Sequence, residues 1–144
     1  MTADLAAVRE ILARRDAARG RRKRHRTPRT SYHTVAQERG ATSDDALAIK
    51  RILSSLVDPT TGCWEWQGAK TIGYGRIKIN GRLDMAHRVA YRLFVGPLVP
   101  GLCVDHQCSN KGCVNPEHLE QVTYSVNMRR AHLVRDAESK RVAS

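Results

Sequence analysis

The sequence predicts an α+β fold, with short strands and helices interleaved around a small antiparallel sheet. Three stretches lead there. GYGRIKINGRLDMA alternates in character about Asn80-Gly81, the mark of a two-residue hairpin turn. MAHRVAYRLFVG follows with Ala86, Val89, Ala90, Leu93 and Phe94 at helical spacing and Gly96-Pro97 as a stop. VDHQCSNKGCVNPEHL then places cysteine, histidine and asparagine in a loop with little apolar content of its own.

The elements can be taken in order. Residues 4–19 read as a helix capped by Asp4, with Leu5, Val8, Ile11 and Leu12 as an apolar stripe and Gly20 as its end. RRKRHRTPRT buries no face and is expected to be an unfolded basic arm. Two helical patches follow, over 34–38 and 43–56, the second with Ser43 as N-cap and Asp44 and Asp45 in its first turn. The spacing of VAQERGATSDDALAIKRIL also fits a helix-turn-helix, but Asp44 and Asp45 would open the recognition helix and repel phosphate. Two packing helices are the preferred reading.

DPTTG is turn material, and CWEWQGAK is a short strand. After the hairpin and its helix, LCVDH is a strand and residues 107–121 are expected to be a loop shaped by Gly112 and Pro116. Thr123 caps the last helix, YSVNMRRAHLVRD. The expected division is a basic N-terminal extension over 1–42, a folded domain over 43–136 and a tail over 137–144.

A formal net charge of +11 favours a polyanionic partner. Residues 1–30 hold ten Lys/Arg against three Asp/Glu, so Arg21, Arg22, Lys23 and Arg24 are expected to contact phosphates, adding affinity without sequence information. No apolar run reaches membrane-spanning length and no signal-peptide pattern opens the chain, so a cytoplasmic protein with no membrane partner is expected. Four cysteines in that setting point to thiols or metal ligands, not disulfides.

Cys108, Cys113 and His118 supply three zinc ligands at matched spacing, and a structural zinc site takes four. Cys103, between Leu102 and Val104, reads as a small buried hydrophobe. Cys63, at a turn–strand junction, is therefore the expected fourth ligand. A metal would close a loop too long to hold one shape unaided.

With His118 given to zinc, His106 is left at the end of a strand, rigidly placed as a general base must be. Asn127, in the first turn of the last helix, and Asp105 offer hard oxygen ligands suited to Mg²⁺.

GCWEWQGA, GYGRIKI, AHRVAY, VDHQCSNKGCVNPEHLEQVT and the N-x-R-R after them together resemble the HNH endonucleases of the His-Me finger (ββα-metal) superfamily. The resemblance covers roughly residues 45–130 and lies closest to the phage and homing-type branch related to the His-Cys box enzymes. It implies a ββα-metal finger in which His106 activates water against a phosphodiester. It also implies Asn127 on Mg²⁺, structural zinc on Cys63, Cys108, Cys113 and His118, and Asn115 holding the loop by backbone hydrogen bonds. The sequence departs from the His-Cys box branch in having no cysteine after Cys113, so that branch's second zinc cluster has no counterpart. Val126 stands where related phage sequences often carry an acidic residue.

On that reading Arg76 is expected to neutralise the scissile phosphate, with Arg88 as second choice. Arg76, Lys78 and Arg82 on the hairpin, with Arg129 and Arg130, are expected to meet double-stranded DNA. His87 reads as a structural histidine. The function expected is a Mg²⁺-dependent DNA endonuclease or nickase. The alternative is a zinc-stabilised DNA-binding accessory or regulatory protein without catalysis, which would need neither His106 nor Asn127. A homodimer through Leu5, Val8, Ile11 and Leu12 would allow cleavage of both strands.

Overall fold

The computed structural model describes residues 29–38 and 40–143. The expected helix over 4–19, its apolar stripe and the basic run at Arg21, Arg22, Lys23 and Arg24 lie outside the described residues.

Helices α1 (Arg29–Glu38) and α2 (Ser43–Leu53) precede an antiparallel pair, β1 (Leu56–Val57) and β2 (Trp64–Glu65). Strands β3 (Lys70–Thr71), β4 (Tyr74–Ile79) and β5 (Arg82–Met85) form an antiparallel meander, and α3 (Ala86–Phe94) follows directly. Strands β6 (Leu102–His106) and β7 (Leu119–Thr123) form a second antiparallel hairpin, with a 3₁₀ turn (Pro116–His118) in the connecting loop. Helix α4 (Tyr124–Val142) packs on both of its strands. The expected α+β class with small antiparallel sheets is what the chain forms, and β6, β7 and α4 supply the ββα unit.

Helix α3 organises the core. Ala86, Val89, Ala90, Leu93 and Phe94 bury one side of it, against Ile49 and Ile52 of α2, Ile77 of β4 and Val104 of β6. The Val, Leu, Ile and Phe side chains among these contribute about 1.5–3 kcal/mol each when fully buried. Trp66 is nearly sealed, and the GYG of the hairpin allows it: a Cβ on Gly75 would lie 2.7 Å from the indole.

Four features differ from expectation. Residues 119–123 are a strand in register with β6 from Leu102↔Thr123 to His106↔Leu119, not the end of a loop. Its central residues are only half-buried, so LEQVT shows no apolar alternation. Helix α2 is capped by Thr42, not Ser43; the Thr42 N–H and hydroxyl both donate to Asp45 at 3.0 Å. Helix α4 passes Asp136 and continues to Val142, with no buried residue. Finally, α1 belongs to the same core as the rest. Tyr32 sits edge-on to Trp64 and Phe94, at ring distances of 5.3 and 5.4 Å, and donates to Glu117. The expected boundary between residues 42 and 43 therefore runs between two helices that share one core.

Candidate active site and metal centre

The site begins with a pairing between distant strands. Glu65 of β2 bridges Cys113, Trp66 N–H donates to the Gly112 carbonyl, and Val114 N–H donates to the Trp64 carbonyl. This short ladder lays the cysteine-rich loop along β2 and so brings Cys63 beside it. Asn115 fastens the other end: its Nδ2 donates to the Gly62 carbonyl at 2.8 Å and its Oδ1 accepts from Glu117 N–H. Asn115, expected to hold the loop, makes side-chain hydrogen bonds to the backbone at Gly62 and Glu117.

As a result the ligand atoms of Cys63, Cys108, Cys113 and His118 all lie within 4.8 Å of one another, and Cys63 and Cys113 are buried. His118 Nδ1 is 3.6 Å from both the Cys63 and the Cys113 sulfur. In tetrahedral zinc, Zn–S and Zn–N bonds of ordinary length place sulfur and nitrogen about 3.5 Å apart. Three sulfurs and an imidazole at this separation fit a structural zinc ion. Crowding has electrostatic consequences. Cys108 and then Cys113 pull the Cys63 thiol far down, while Cys108 and then Cys63 push Cys113 far up, so the sulfurs compete to ionise. His118 is raised to about 9, first by Cys108 and then by Cys63. A cation among the four would allow all the sulfurs to ionise together. Cys103 lies away from this cluster on β6, opposite Val122.

His106 closes β6 with 5% of its surface exposed. Its Nε2 lies 2.9 Å from the Cys113 carbonyl. A carbonyl only accepts, so Nε2 carries the proton and Nδ1 is the basic nitrogen. Burial, the largest influence, lowers the pKa of His106, opposed by the Cys113 carbonyl and by Asp105. The ring is therefore neutral near pH 7 and able to accept a proton.

Two neighbours of His106 were not anticipated. His87 of α3 packs at 4.5 Å ring to ring, and Tyr74 of β4 at 6.1 Å. His87 is buried and its pKa falls to about 3, first through burial and then through the adjacent His106 and Arg88. Its Nδ1 is buried without a hydrogen-bond partner among the described residues. His87 was expected to be a structural histidine, and nothing in AHRVAY itself marks it as a neighbour of His106.

The basic residues separate by surroundings. Tyr74, Arg76 and Lys78 alternate along β4 and share a face. Among the described residues, the Arg76 Nη1 meets only the Met85 sulfur, at 3.4 Å, and its buried Nε has no partner. This guanidinium is under-occupied on the face that carries Tyr74. Arg82 pairs with Ile79, so it points to the opposite face from Arg76 and Lys78. Arg88 is paired with Asp84 at 3.4 Å on the surface. Arg129 is exposed on α4.

Arg130 is turned inward and donates to Asp105 at 2.9 Å and to Glu120. Asp105 and Glu120 stand directly opposite each other in the β6–β7 register, a like-charge pair that Arg130 neutralises. The other Asp105 oxygen accepts from the His106 N–H. A divalent cation on Asp105 would therefore compete with Arg130. Asn127 is half-buried one turn before Arg130 on the same side of α4.

Residues 84–129 match the family model described as HNH endonuclease. Protein 2.8 of Escherichia phage T7 is 37% identical over 92 residues, 58% of this chain and 63% of that protein. Protein 7.7 of the same phage is 43% identical over 58 residues, 40% of this chain and 45% of that protein. The uncharacterized gene 5.3 protein of Enterobacteria phage T3 is 31% identical over 58 residues, 40% of this chain and 52% of that protein. The chain thus spans between about half and just under two thirds of these relatives. No solved structure matches it. The segment that carries His106, Cys108, Cys113 and His118 thus lies within the stretch that matches the HNH endonuclease domain.

Proposed function

We propose that the chain is a DNA endonuclease that hydrolyses phosphodiester bonds with His106 as general base. The observation that supports this most directly is the bond between His106 Nε2 and the Cys113 carbonyl, which assigns the basic lone pair to Nδ1 of a buried, neutral ring. An HNH domain implies a nucleic-acid substrate, and the basic balance of the chain suits duplex DNA.

In the proposed reaction, His106 Nδ1 takes a proton from water. The resulting hydroxide bonds to phosphorus as the bond to the 3′ oxygen breaks. Arg76, with its free donors on the Tyr74 face, neutralises the phosphate as charge develops. Asp105 and Asn127 are the residues that would hold Mg²⁺, whose chemistry when bound is to stabilise the phosphate and the departing oxygen. Zinc on Cys63, Cys108, Cys113 and His118 would have a structural part only, because all four positions of its tetrahedron are filled by protein. Lys78 and Arg129 would lie along the DNA backbone, and residues 43–136 would be the nuclease unit, supported by α1. Given its phage relatives, the proposed place of action is the cytoplasm of an infected bacterium. Among the described residues, no helix is long and apolar enough to cross a membrane.

The test is incubation of supercoiled plasmid with Mg²⁺, comparing the wild type with His106→Ala. Loss of the general base should lower the rate by about 10²–10⁴-fold. Equal cleavage by the variant would defeat the assignment, and absence of cleavage by the wild type would favour a binding protein.

A further inference from the structure

The meander contains two hairpin turns of one backbone shape and different chemistry. Thr71 pairs with Tyr74 and Ile79 pairs with Arg82, so each loop has two residues. Both loop residues have positive φ in each case: 52° and 85° at Ile72-Gly73, 50° and 75° at Asn80-Gly81. This is the tight turn for which Asn-Gly is the preferred pair. Asn80-Gly81 conforms. Ile72 does not: a β-branched residue at positive φ is a steric outlier. Nor is it repaid by packing, since Ile72 is 84% exposed. Strain of this kind is retained where the residue has work to do.

Its position indicates that work. Tyr74, the second residue after Ile72, packs against His106 and His87. The exposed Lys111 places its ammonium 5.4 Å from the Tyr74 ring, and its side chain lies against Gly73. Arg76 and Lys78 continue along the strand on the Tyr74 face. The tip is thus an apolar point set among cations, two residues from the side chain that packs by His106. A cationic surround selects a polyanion, and an isolated aliphatic point suits the gap between stacked bases.

We propose that Ile72 is a wedge that enters a base step of duplex DNA beside the bond to be cut, opening the step so that the backbone reaches His106. The inference rests on the endonuclease reading and adds a substrate-deforming residue to it.

The test uses Ile72→Asn, which restores the turn chemistry of Asn80-Gly81 and so should fold at least as well as the wild type. Ile72→Leu keeps an apolar tip. Plasmid cleavage by Ile72→Asn should fall by about tenfold, and Ile72→Leu should recover most of it. In parallel, a duplex spanning the mapped plasmid cut, with 2-aminopurine at the adjoining step, is bound by the His106→Ala protein. Fluorescence should rise as the step opens, and the rise should vanish when Ile72→Asn is added. Cleavage by Ile72→Asn within about twofold of wild type, or a fluorescence that does not depend on residue 72, would overturn the wedge while leaving the endonuclease intact. If the wild type neither binds nor cuts duplex DNA, both readings fall.

Discussion

The two sides of the 107–118 loop differ in how complete they are. On one side the ligand atoms of Cys63, Cys108, Cys113 and His118 face each other within 4.8 Å, a set sufficient for one tetrahedral metal. On the other, His106 Nδ1 and the Arg76 guanidinium have donors or lone pairs to spare. Cys113 serves both sides, through its sulfur towards the cluster and its carbonyl towards His106. A set of ligands that satisfies itself has no room for substrate, whereas groups left wanting partners are ready for one. On the proposed reading, closure marks the structural centre and incompleteness the chemical one.

The strongest way to break this comparison is to open the closed side. Cys113→Ser, or treatment with a strong chelator, is expected to abolish cleavage and remove the cooperative unfolding transition, because bound zinc contributes folding free energy directly. Metal analysis with a thermal melt checks it; a full-length melt at the wild-type temperature without zinc would show that the cluster is not a metal centre.

Next, Arg76→Ala removes a cation from the open side without touching the cluster. Cleavage should slow by about 10²-fold while zinc content and Tm stay near wild type. A matching loss of Tm would make Arg76 structural.

The third test is pH. His87 has a folded pKa of about 3 against an ordinary value of 6.5, so it favours the folded state above pH 6.5. Below that pH the unfolded chain takes up a proton that the folded chain refuses, and stability is lost progressively as pH falls towards 3. His87→Phe should flatten that acid limb, measured by Tm across the range in metal-loaded protein; an unchanged limb would assign it to other groups.

The smallest effect is expected at Arg130. Arg130→Ala leaves Asp105 and Glu120 opposed without a cation, and should lower Tm by a few degrees, corresponding to about 1 kcal/mol. It also frees Asp105, so half-maximal cleavage should need less Mg²⁺. A higher Mg²⁺ requirement would make Arg130 a helper of the metal and not its competitor.

Much of this was legible in the chain because valence and turn chemistry are local. Zinc's need for a fourth ligand pointed to Cys63 before any contact was known, and Asn80-Gly81 marked its hairpin. What was not legible depends on pairing. The alternation of Arg76, Lys78 and Arg82 suggested one basic face, but a two-residue turn reverses the phase of the returning strand, so Arg82 faces away while Leu83 joins Lys78. Strand β7 stayed hidden because its register with β6, not its own apolar pattern, makes it a strand. Tyr32 and His87 acquire meaning only from Trp64, Phe94 and His106, which lie far along the chain.

The ladder between β2 and the cysteine loop has a kinetic side. Cys63 and His118 are 55 residues apart in the chain, and their contact must form across everything between them. Closing so long a segment is entropically slow when only a few backbone bonds reward it. Thiols and imidazole can bind a metal before any strand exists, and an ion held by an early pair of ligands would shorten the search for the rest. Refolding from denaturant should therefore quicken as free zinc is raised, and metal supply would then govern when this protein becomes folded as well as whether it does.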